Sequence, residues 1–260
     1  MKRSAYALTM DTNRFLLRGG VLTDAHKAKI VRLLLAEKYK PGARIHESKT
    51  GPSYPRFFIP PYNDGKKFQT LVPMSPKSYI IADNAYEFEI LRLLKLFAPR
   101  ESAMAQDNHA QMLDEMYTVT QNRLKQTCFG YKRCHYADCF EAGLTVLRFL
   151  TFAEPKNTRW MTKQIDVFNG HFADRKRHSG VLRYYWLCLS DMPEALAIPQ
   201  IERQRDAILE QLGRSYLVKT GDEDIPLLVA RNTLARLPAY ADLRTRKPYV
   251  DERSGRMYFA

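Results

Sequence analysis

One connection of the chain gathers side chains that could move protons beside a phosphate. His46 and Tyr54 lie there among the cations Arg44, Lys49 and Arg56. If a ribose 2′-hydroxyl attacks the adjacent phosphate, one group must take its proton, another must protonate the leaving 5′-oxygen, and cations must stabilise the added charge. Imidazole titrates near neutral pH, so His46 is the natural candidate catalytic residue, with Tyr54 as its partner. The alternative is an ordinary histidine on a solvated basic loop.

A second candidate pair is Arg14 and Arg18, which precede Gly19 and Gly20. The planar fork of donors in either guanidinium could bind a phosphate or stabilise a transition state. Both arginines are therefore candidate catalytic residues. The alternative is that they are solvated surface charges.

Two further basic clusters lie later in the chain, one at Arg175–Lys176–Arg177–His178 and the other at Arg244, Arg246 and Lys247. The first immediately precedes an aromatic run that contains Tyr184, Tyr185 and Trp186, and exposed rings of this kind could stack on unpaired bases. At least half of these rings must be core, because so apolar a run has to bury one face. The predicted RNA-binding residues are Lys27, Arg32, Arg44, Lys49, Arg56, Arg175, Lys176, Arg177, His178, Arg244, Arg246 and Lys247.

The charge of the chain points to a polyanionic partner. Of a net charge of +13, most comes from residues 1–82, where fifteen Lys or Arg stand against five acids. Positive charge concentrated in this way attracts nucleic acids, because phosphate contacts supply most of their affinity.

The composition indicates an ordinary globular protein of 260 residues, 45% of them hydrophobic. No apolar run is long enough to cross a bilayer or to serve as a signal peptide, so we expect no membrane partner and a cytoplasmic location. Four cysteines do not form a disulfide framework in a chain of this size.

We predict neither a cofactor nor a metal site. Cys128, Cys134, His135 and Cys139 lack the short paired spacing of structural zinc ligands. The sequence also lacks the glycine-rich phosphate-binding motifs and the H-E-x-x-H motif.

The elements that must position these residues alternate between strand and helix at the start of the chain. A helix that begins near Thr23 or Asp24 ends before Pro41-Gly42. The predicted strands in this part are Ser4–Thr9, Arg56–Ile59, Phe68–Val72 and Ser78–Ala82, with a turn at Asn63–Gly65.

Helical patterns dominate the middle of the chain, with apolar spacing at Tyr86–Phe97, around Met112–Leu124 and at Leu144–Leu150. Strands are predicted again at Val181–Ser190, Ile225–Ala230 and within Tyr249–Phe259, where Ser254-Gly255 is a turn. A helix with Pro199 in its first position and Gly213 after its end lies between them.

This order predicts an α+β fold with two ferredoxin-like or RRM-like halves and a mostly helical insertion. The predicted domains are residues 1–83 (N-terminal RRM-like half), 84–155 (helical insert, or finger) and 156–260 (C-terminal α/β half).

A basic chain with this element order resembles the CRISPR repeat-RNA endonucleases of the RAMP superfamily, and among them the divergent type IV form. The resemblance implies a metal-independent endoribonuclease that recognises a repeat hairpin, cleaves it to a 2′,3′-cyclic phosphate and keeps the processed guide RNA within a ribonucleoprotein. His46, Arg14 and Arg18 are the positions that match its catalytic residues. The glycine-rich C-terminal loop typical of the superfamily is absent, since Gly213, Gly221 and Gly255 are scattered.

Two alternatives remain open. One is a noncatalytic DNA-binding protein, a plasmid replication initiator or repressor, that reads a major groove with the helix at Ile201–Leu212 through Arg203 and Arg205. The other is a noncatalytic RNA-binding subunit of a ribonucleoprotein.

Overall fold

The computed structural model describes residues 4–36, 45–46, 54–55, 70–72, 79–97, 137–153, 155–171, 179–214, 216–217 and 224–259. Within these residues the chain is mainly helical. Its α-helices are α1 (Ala5–Leu17), α2 (Asp24–Ala36), α3 (Tyr79–Phe97), α4 (Ala137–Ala153), α5 (Thr158–His171), α6 (Ser179–Asp191), α7 (Glu194–Leu212) and α8 (Ile225–Leu234). A 3₁₀ helix (Pro238–Arg244) follows α8, and the strands are β1 (Ile45–His46), β2 (Tyr54–Pro55), β3 (Tyr216–Leu217), β4 (Pro248–Asp251) and β5 (Arg256–Phe259).

The predicted α+β fold with two RRM-like halves is wrong. The strands form a two-stranded antiparallel pair, β1–β2, and a three-stranded sheet in the order β3–β5–β4. Across the described ranges, no ferredoxin-like sheet is present. The strands are two to four residues long, whereas the helices run to nineteen residues.

The first predicted strand, Ser4–Thr9, is instead the start of α1. The Ser4 hydroxyl oxygen accepts a hydrogen bond from the Ala7 backbone N–H at 3.2 Å, so Ser4 acts as a helix N-cap. The sequence predicts a loop over the basic segment Asp11–Gly20 that follows, but this segment is helical as far as Leu17, and Arg14 lies inside α1. The helix ends at Leu17, and Gly19 adopts a positive φ of 84°, a conformation that glycine reaches without a steric penalty.

The predicted strands Val181–Ser190 and Ile225–Ala230 are helices α6 and α8. Of the predicted strand Ser78–Ala82, the described residues 79–82 form the first turn of α3, and Ser78 lies outside the described residues. Leu182 and the six residues from Tyr184 to Leu189 are buried, as are Leu227–Leu228–Val229–Ala230. A helix buried on all sides gives the same unbroken apolar run as a buried strand, so periodicity could not separate the two. Pro226 in the first turn of α8 was the missed start signal.

Several predicted elements are confirmed. The α2 helix begins after Thr23, whose hydroxyl accepts the His26 backbone N–H at 3.3 Å. The helical segments Tyr86–Phe97 and Leu144–Leu150 lie within α3 and α4, and the terminal hairpin is present as β4 and β5. The helix α7 ends at Gly213 but begins at Glu194, so Pro199 lies inside it rather than at its first position. The predicted strands at Arg56–Ile59 and Phe68–Val72, the turn at Asn63–Gly65 and the helix around Met112–Leu124 fall wholly or mostly outside the described residues.

The chain divides into two compact units. The first consists of Met1–Thr12, Val21–Thr70 and Ser75–Ala153, and the second of Asn13–Gly20, Leu71–Met74 and Glu154–Ala260. The three-part division at residues 83 and 155 stays a prediction.

The core of the first unit is formed by α2, α3 and α4. All described side chains from residue 85 to 94 of α3 and from 143 to 151 of α4 are buried. The rings of Phe88 and Phe149 pack with their centroids 5.6 Å apart. Between the same two helices Arg148 Nη1 lies 3.2 Å from Glu89 Oε2, and both side chains are buried.

The core of the second unit is formed by α6, α7 and α8 with the 3₁₀ helix. Arg236, just after α8, donates from Nη1 to the carbonyl oxygens of Leu189, Ser190 and Met192, which lie at the end of α6. A cation on these carbonyls both satisfies their hydrogen bonds and complements the helix dipole. The α5 helix contributes Phe168, whose ring centroid is 6.0 Å from that of Tyr185.

Candidate nucleic-acid interface

Arg18 is held by a carboxylate at the start of α8. Its Nε donates to Asp224 Oδ2 at 2.9 Å, and its Nη2 donates to Asp224 Oδ1 at 2.8 Å. Nearby, the Asn232 side-chain amide donates to the Leu17 carbonyl oxygen at 2.8 Å. The fork of donors that could bind a phosphate therefore fixes the end of α1 to α8 within the second unit.

Two of the candidate catalytic residues occupy opposite positions in one strand pair. In β1–β2, His46 is the Cα partner of Tyr54, and Ile45 is the partner of Pro55. The strand pairing thus sets the two predicted acid–base candidates directly opposite each other. Their neighbours Arg44, Lys49 and Arg56 lie outside the described residues.

The predicted RNA-binding residues of α2 differ in their surroundings. Lys27 Nζ lies 2.8 Å from Asp24 Oδ1, in an exposed ion pair between residues one helical turn apart. Arg32 is exposed together with Lys29, and no acidic partner of either is found in the described part of the chain. The cluster Arg175–Lys176–Arg177–His178 lies outside the described residues.

The predicted cluster near the C-terminus is partly engaged in the fold. Arg244 Nε donates to the Ala235 carbonyl oxygen at 3.2 Å, and Arg246 Nη2 lies 2.7 Å from Asp242 Oδ2. Lys247 is exposed, and the described residues offer it no acidic partner. Of the three cations, Arg246 is thus paired with a carboxylate, Arg244 is bonded to a backbone carbonyl that carries no net charge, and Lys247 has neither kind of contact among the described residues.

The aromatic run on α6 is core. Tyr184 and Tyr185 are fully buried and Trp186 is 3% exposed, so these rings are closed to a base. Burial raises the pKa of the Tyr185 phenol, as expected for a hydroxyl removed from water.

An aromatic pair with one exposed and one half-buried ring occurs instead on the C-terminal sheet, where sequence reasoning did not place one. Tyr249 of β4 and Tyr258 of β5 are direct cross-strand partners. Their ring centroids are 5.8 Å apart with an interplanar angle of 25°, and Tyr249 is 51% exposed. The signal was available: the Ser254-Gly255 turn fixes the register of the hairpin, and the register pairs the two tyrosines.

The turn between these strands is built around Asp251. Its Oδ1 accepts the Arg253 backbone N–H at 2.9 Å, and its Oδ2 accepts the Ser254 hydroxyl at 2.8 Å. These donors, the Arg253 N–H first, hold the pKa of the Asp251 carboxyl below its usual value. Gly255 completes the turn with a φ of 61°.

A basic stripe on α5 was also missed. Lys156, just before the helix, and Arg159 and Lys163 within it are exposed, and they have no acidic partner among the side chains that the structure describes. Their spacing of three and four residues puts them on one side of a helix. The buried positions Met161, Ile165 and Phe168 mark the other side, so the pattern could have been found from the sequence.

The solvent side of α7, the candidate DNA-reading helix, is balanced in charge. Arg205 lies 3.8 Å from Glu202 and 3.3 Å from Asp206, and Glu210 pairs with Arg214 at 2.6 Å. Arg203 is exposed on the same helix. A surface on which acids match or outnumber the cations does not favour contact with a phosphate backbone.

Among the residues that the structure describes, no group of three or more His, Cys, Asp or Glu side chains is placed to hold a metal ion. The prediction that the chain needs none remains a prediction, since Cys128, Cys134 and His135 lie outside those residues. None of the described helices is both long and apolar enough to cross a membrane. The chain matches no protein-family model, and comparison with curated proteins and with solved structures gives no match.

Proposed function

We propose that this protein binds RNA and contacts its phosphates through exposed cations. The observation that carries the proposal is a set of exposed cations with no acidic partner in the described ranges. The set includes Lys29, Arg32, Lys156, Arg159, Lys163, Lys247 and Arg253. On α7, by contrast, ion pairs hold Arg205, and the exposed Arg203 lies on a helix in which acids outnumber cations, so these seven are better placed for a polyanion.

Cleavage of the RNA is a second candidate function, supported by one specific observation. The register of β1 and β2 sets His46 opposite Tyr54, so the two candidate proton-transfer residues lie on neighbouring strands. The reaction would be metal-independent attack of a 2′-hydroxyl to give a 2′,3′-cyclic phosphate. A repeat hairpin as substrate, retention of the product and partner subunits in a cytoplasmic ribonucleoprotein belong to this candidate. The RRM-like element order no longer supports it, because the fold is mainly helical.

Duplex DNA is a less suitable partner. Its proposed reader, α7, presents Glu202, Asp206 and Glu210 beside Arg203 and Arg205. Moreover, the guanidinium of Arg205 forms ion pairs with Glu202 and Asp206. This arrangement favours a solvated helix over a groove-reading one.

The test is binding of labelled hairpin RNA, of an unstructured RNA and of duplex DNA in EDTA at several salt concentrations. We expect RNA to bind more tightly than DNA, and log affinity to fall with log salt by about 0.7 per phosphate contacted on a single strand. A Lys156→Gln/Arg159→Gln variant should bind RNA more weakly and lower that slope. The matched control is Arg203→Gln/Arg205→Gln, which removes the same charge from α7 and should have a smaller effect.

The same labelled RNA, incubated in EDTA and separated on a gel, tests whether the protein cleaves RNA. Discrete RNA cutting in EDTA that is lost in His46→Ala would support the endoribonuclease, and binding with no cutting would leave an RNA-binding subunit. Binding that is tighter to duplex DNA, or absent at low salt, would contradict the proposed function.

A further inference from the structure

We propose that the face of the C-terminal sheet that carries Tyr249 and Tyr258 binds unpaired RNA nucleotides, with the tyrosines stacking on bases and the neighbouring cations contacting phosphates. This inference rests on the proposed RNA binding and specifies which form of RNA the second unit recognises. We call the side of β4 and β5 on which Tyr249, Asp251, Arg256 and Tyr258 lie the tyrosine face.

The register defines this face. Tyr249 pairs with Tyr258 and Asp251 pairs with Arg256, whereas Val250 pairs with Met257 between them. Successive residues of a strand point to opposite sides, so the two tyrosines and Arg256 share a side that Val250 does not. The alternation leaves Val250 as an internal control on the same strand.

The ring of Tyr249 is accessible, and that of Tyr258 beside it is half-buried. Tyr249 is 51% exposed, in contrast to the fully buried Tyr184 and Tyr185 of α6. A base stacks on an exposed aromatic face in a largely sequence-tolerant way, and bases of a duplex are already stacked on one another. An accessible ring therefore selects unpaired nucleotides.

Charge complementarity identifies the occupant as a polyanion. From residue 242 to residue 258 the chain has five cations, Arg244, Arg246, Lys247, Arg253 and Arg256, and three acids, Asp242, Asp251 and Glu252. Asp242 pairs with Arg246, so four cations remain against two acids. Both carboxylate oxygens of Asp251 accept hydrogen bonds from its own turn. Cations beside exposed rings are the combination that single-stranded nucleic acid requires.

A second copy of the chain is the competing occupant. In the sheet order β3–β5–β4, β4 is an edge strand, and an exposed edge can pair with another strand. Such pairing would use the backbone of β4 and would not depend on which of its two faces carries an aromatic ring. The two occupants therefore respond differently to substitutions on the two faces.

The experiment compares full-length variants on two probes of the same sequence: an unstructured RNA of about a dozen nucleotides with a central 2-aminopurine, and its blunt duplex. The variants are Tyr249→Thr, Tyr249→Phe and, as the matched control on the other face, Val250→Thr. Threonine keeps a strong preference for strands, so the hairpin is retained. Circular dichroism and thermal melting establish folding, and sedimentation gives the oligomeric state.

We expect wild type to quench the 2-aminopurine fluorescence and to prefer the single strand. Tyr249→Thr should lose on the order of tenfold in single-strand affinity with little change on the duplex, since stacking on one aromatic side chain has about that effect. Tyr249→Phe and Val250→Thr should bind as wild type does.

Other outcomes overturn the inference in distinguishable ways. Unchanged single-strand affinity in Tyr249→Thr, with RNA binding intact, would remove the stacking site and leave the proposed function standing. A dimer that Tyr249→Thr and Val250→Thr weaken equally, at constant RNA affinity, would assign the sheet to a second copy. Absence of RNA binding by wild type would overturn the proposed function itself.

Discussion

The guanidinium of Arg18 has a defined partner, and this changes what a substitution there would mean. Its two hydrogen bonds to Asp224 join residues 206 positions apart. We predict that Arg18→Gln and Asp224→Asn each lower the free energy of unfolding by about 1 kcal/mol, near the upper limit for an ion pair that is partly exposed. Urea denaturation of both single variants and of the double variant measures the coupling.

The double variant should lose little more than either single variant, because one interaction is removed in all three. Additive losses would contradict the pairing. Arg32→Gln, an exposed cation of α2, is the control and should leave stability unchanged. In a cleavage assay, equal losses in Arg18→Gln and Asp224→Asn would indicate a structural effect, whereas a loss confined to Arg18→Gln would indicate a catalytic one.

The Asp251 carboxylate gives the C-terminal turn a dependence on acid pH. Its pKa in the folded chain lies below the ordinary value of 3.8, so its stabilising contribution is fully present above about pH 4 to 5 and is lost as the pH falls through the folded-state pKa. We expect the ring resonances of Tyr249 and Tyr258 to stay constant from pH 7 to about pH 5 and to shift below about pH 4.

Asp251→Asn is the control for this prediction. It removes the charge that accepts the Arg253 N–H and the Ser254 hydroxyl, so the turn should be weaker at neutral pH and its tyrosine signals should no longer change with acid in this way. An acid transition of the same size in Asp251→Asn would contradict a role for this carboxylate.

At the scale of elements, the sequence correctly predicted the helices α2, α3 and α4 from the helical spacing of their apolar residues, and it failed on α6 and α8, whose unbroken apolar runs it assigned to strands. The α2 helix has a start signal at Thr23 and buries Val31, Leu34 and Leu35 on one side. The run from Tyr184 to Leu189 in α6 buries every residue, so the preference of Tyr and Trp for strands was the only local signal, and tertiary packing overrode it. At the site, the basic clusters could be found from composition alone. The Tyr249–Tyr258 pair could not, because it depends on which residues of β4 and β5 lie opposite each other.

The all-round burial of α3 and α4 makes their ion pair a sensitive point of the first unit. Arg148→Met leaves the Glu89 carboxylate buried without this partner, and we expect a loss of about 3 kcal/mol in the free energy of unfolding. Glu89→Leu/Arg148→Met should recover much of this loss, because an apolar pair of similar volume requires no desolvation of charge. Chemical denaturation of both variants measures these free energies of unfolding. A double variant less stable than Arg148→Met would contradict both the expected recovery and its explanation.

At the scale of the whole molecule, the second unit is not continuous in sequence. Asn13–Gly20 belongs to it although its main part begins at Glu154. This short segment supplies Arg18 to Asp224 and the Leu17 carbonyl oxygen to Asn232. No boundary drawn along the sequence alone could show that α8 depends on residues more than 200 positions earlier, because both contacts exist only after folding.

This discontinuity predicts how a fragment of residues 154–260 behaves. Without the segment 13–20, Asp224 and Asn232 lose these partners, so the amide hydrogens of α8 should exchange faster than in the full chain. Asp224→Asn supplies the control, because it should destabilise the full chain but have little effect on the fragment, in which Arg18 is absent. Equal effects of Asp224→Asn in both would show that the start of α8 is held by other contacts. The expected difference would instead place the end of α1 among the contacts that hold this unit together, so that any test of RNA binding by the second unit has to keep the N-terminal segment.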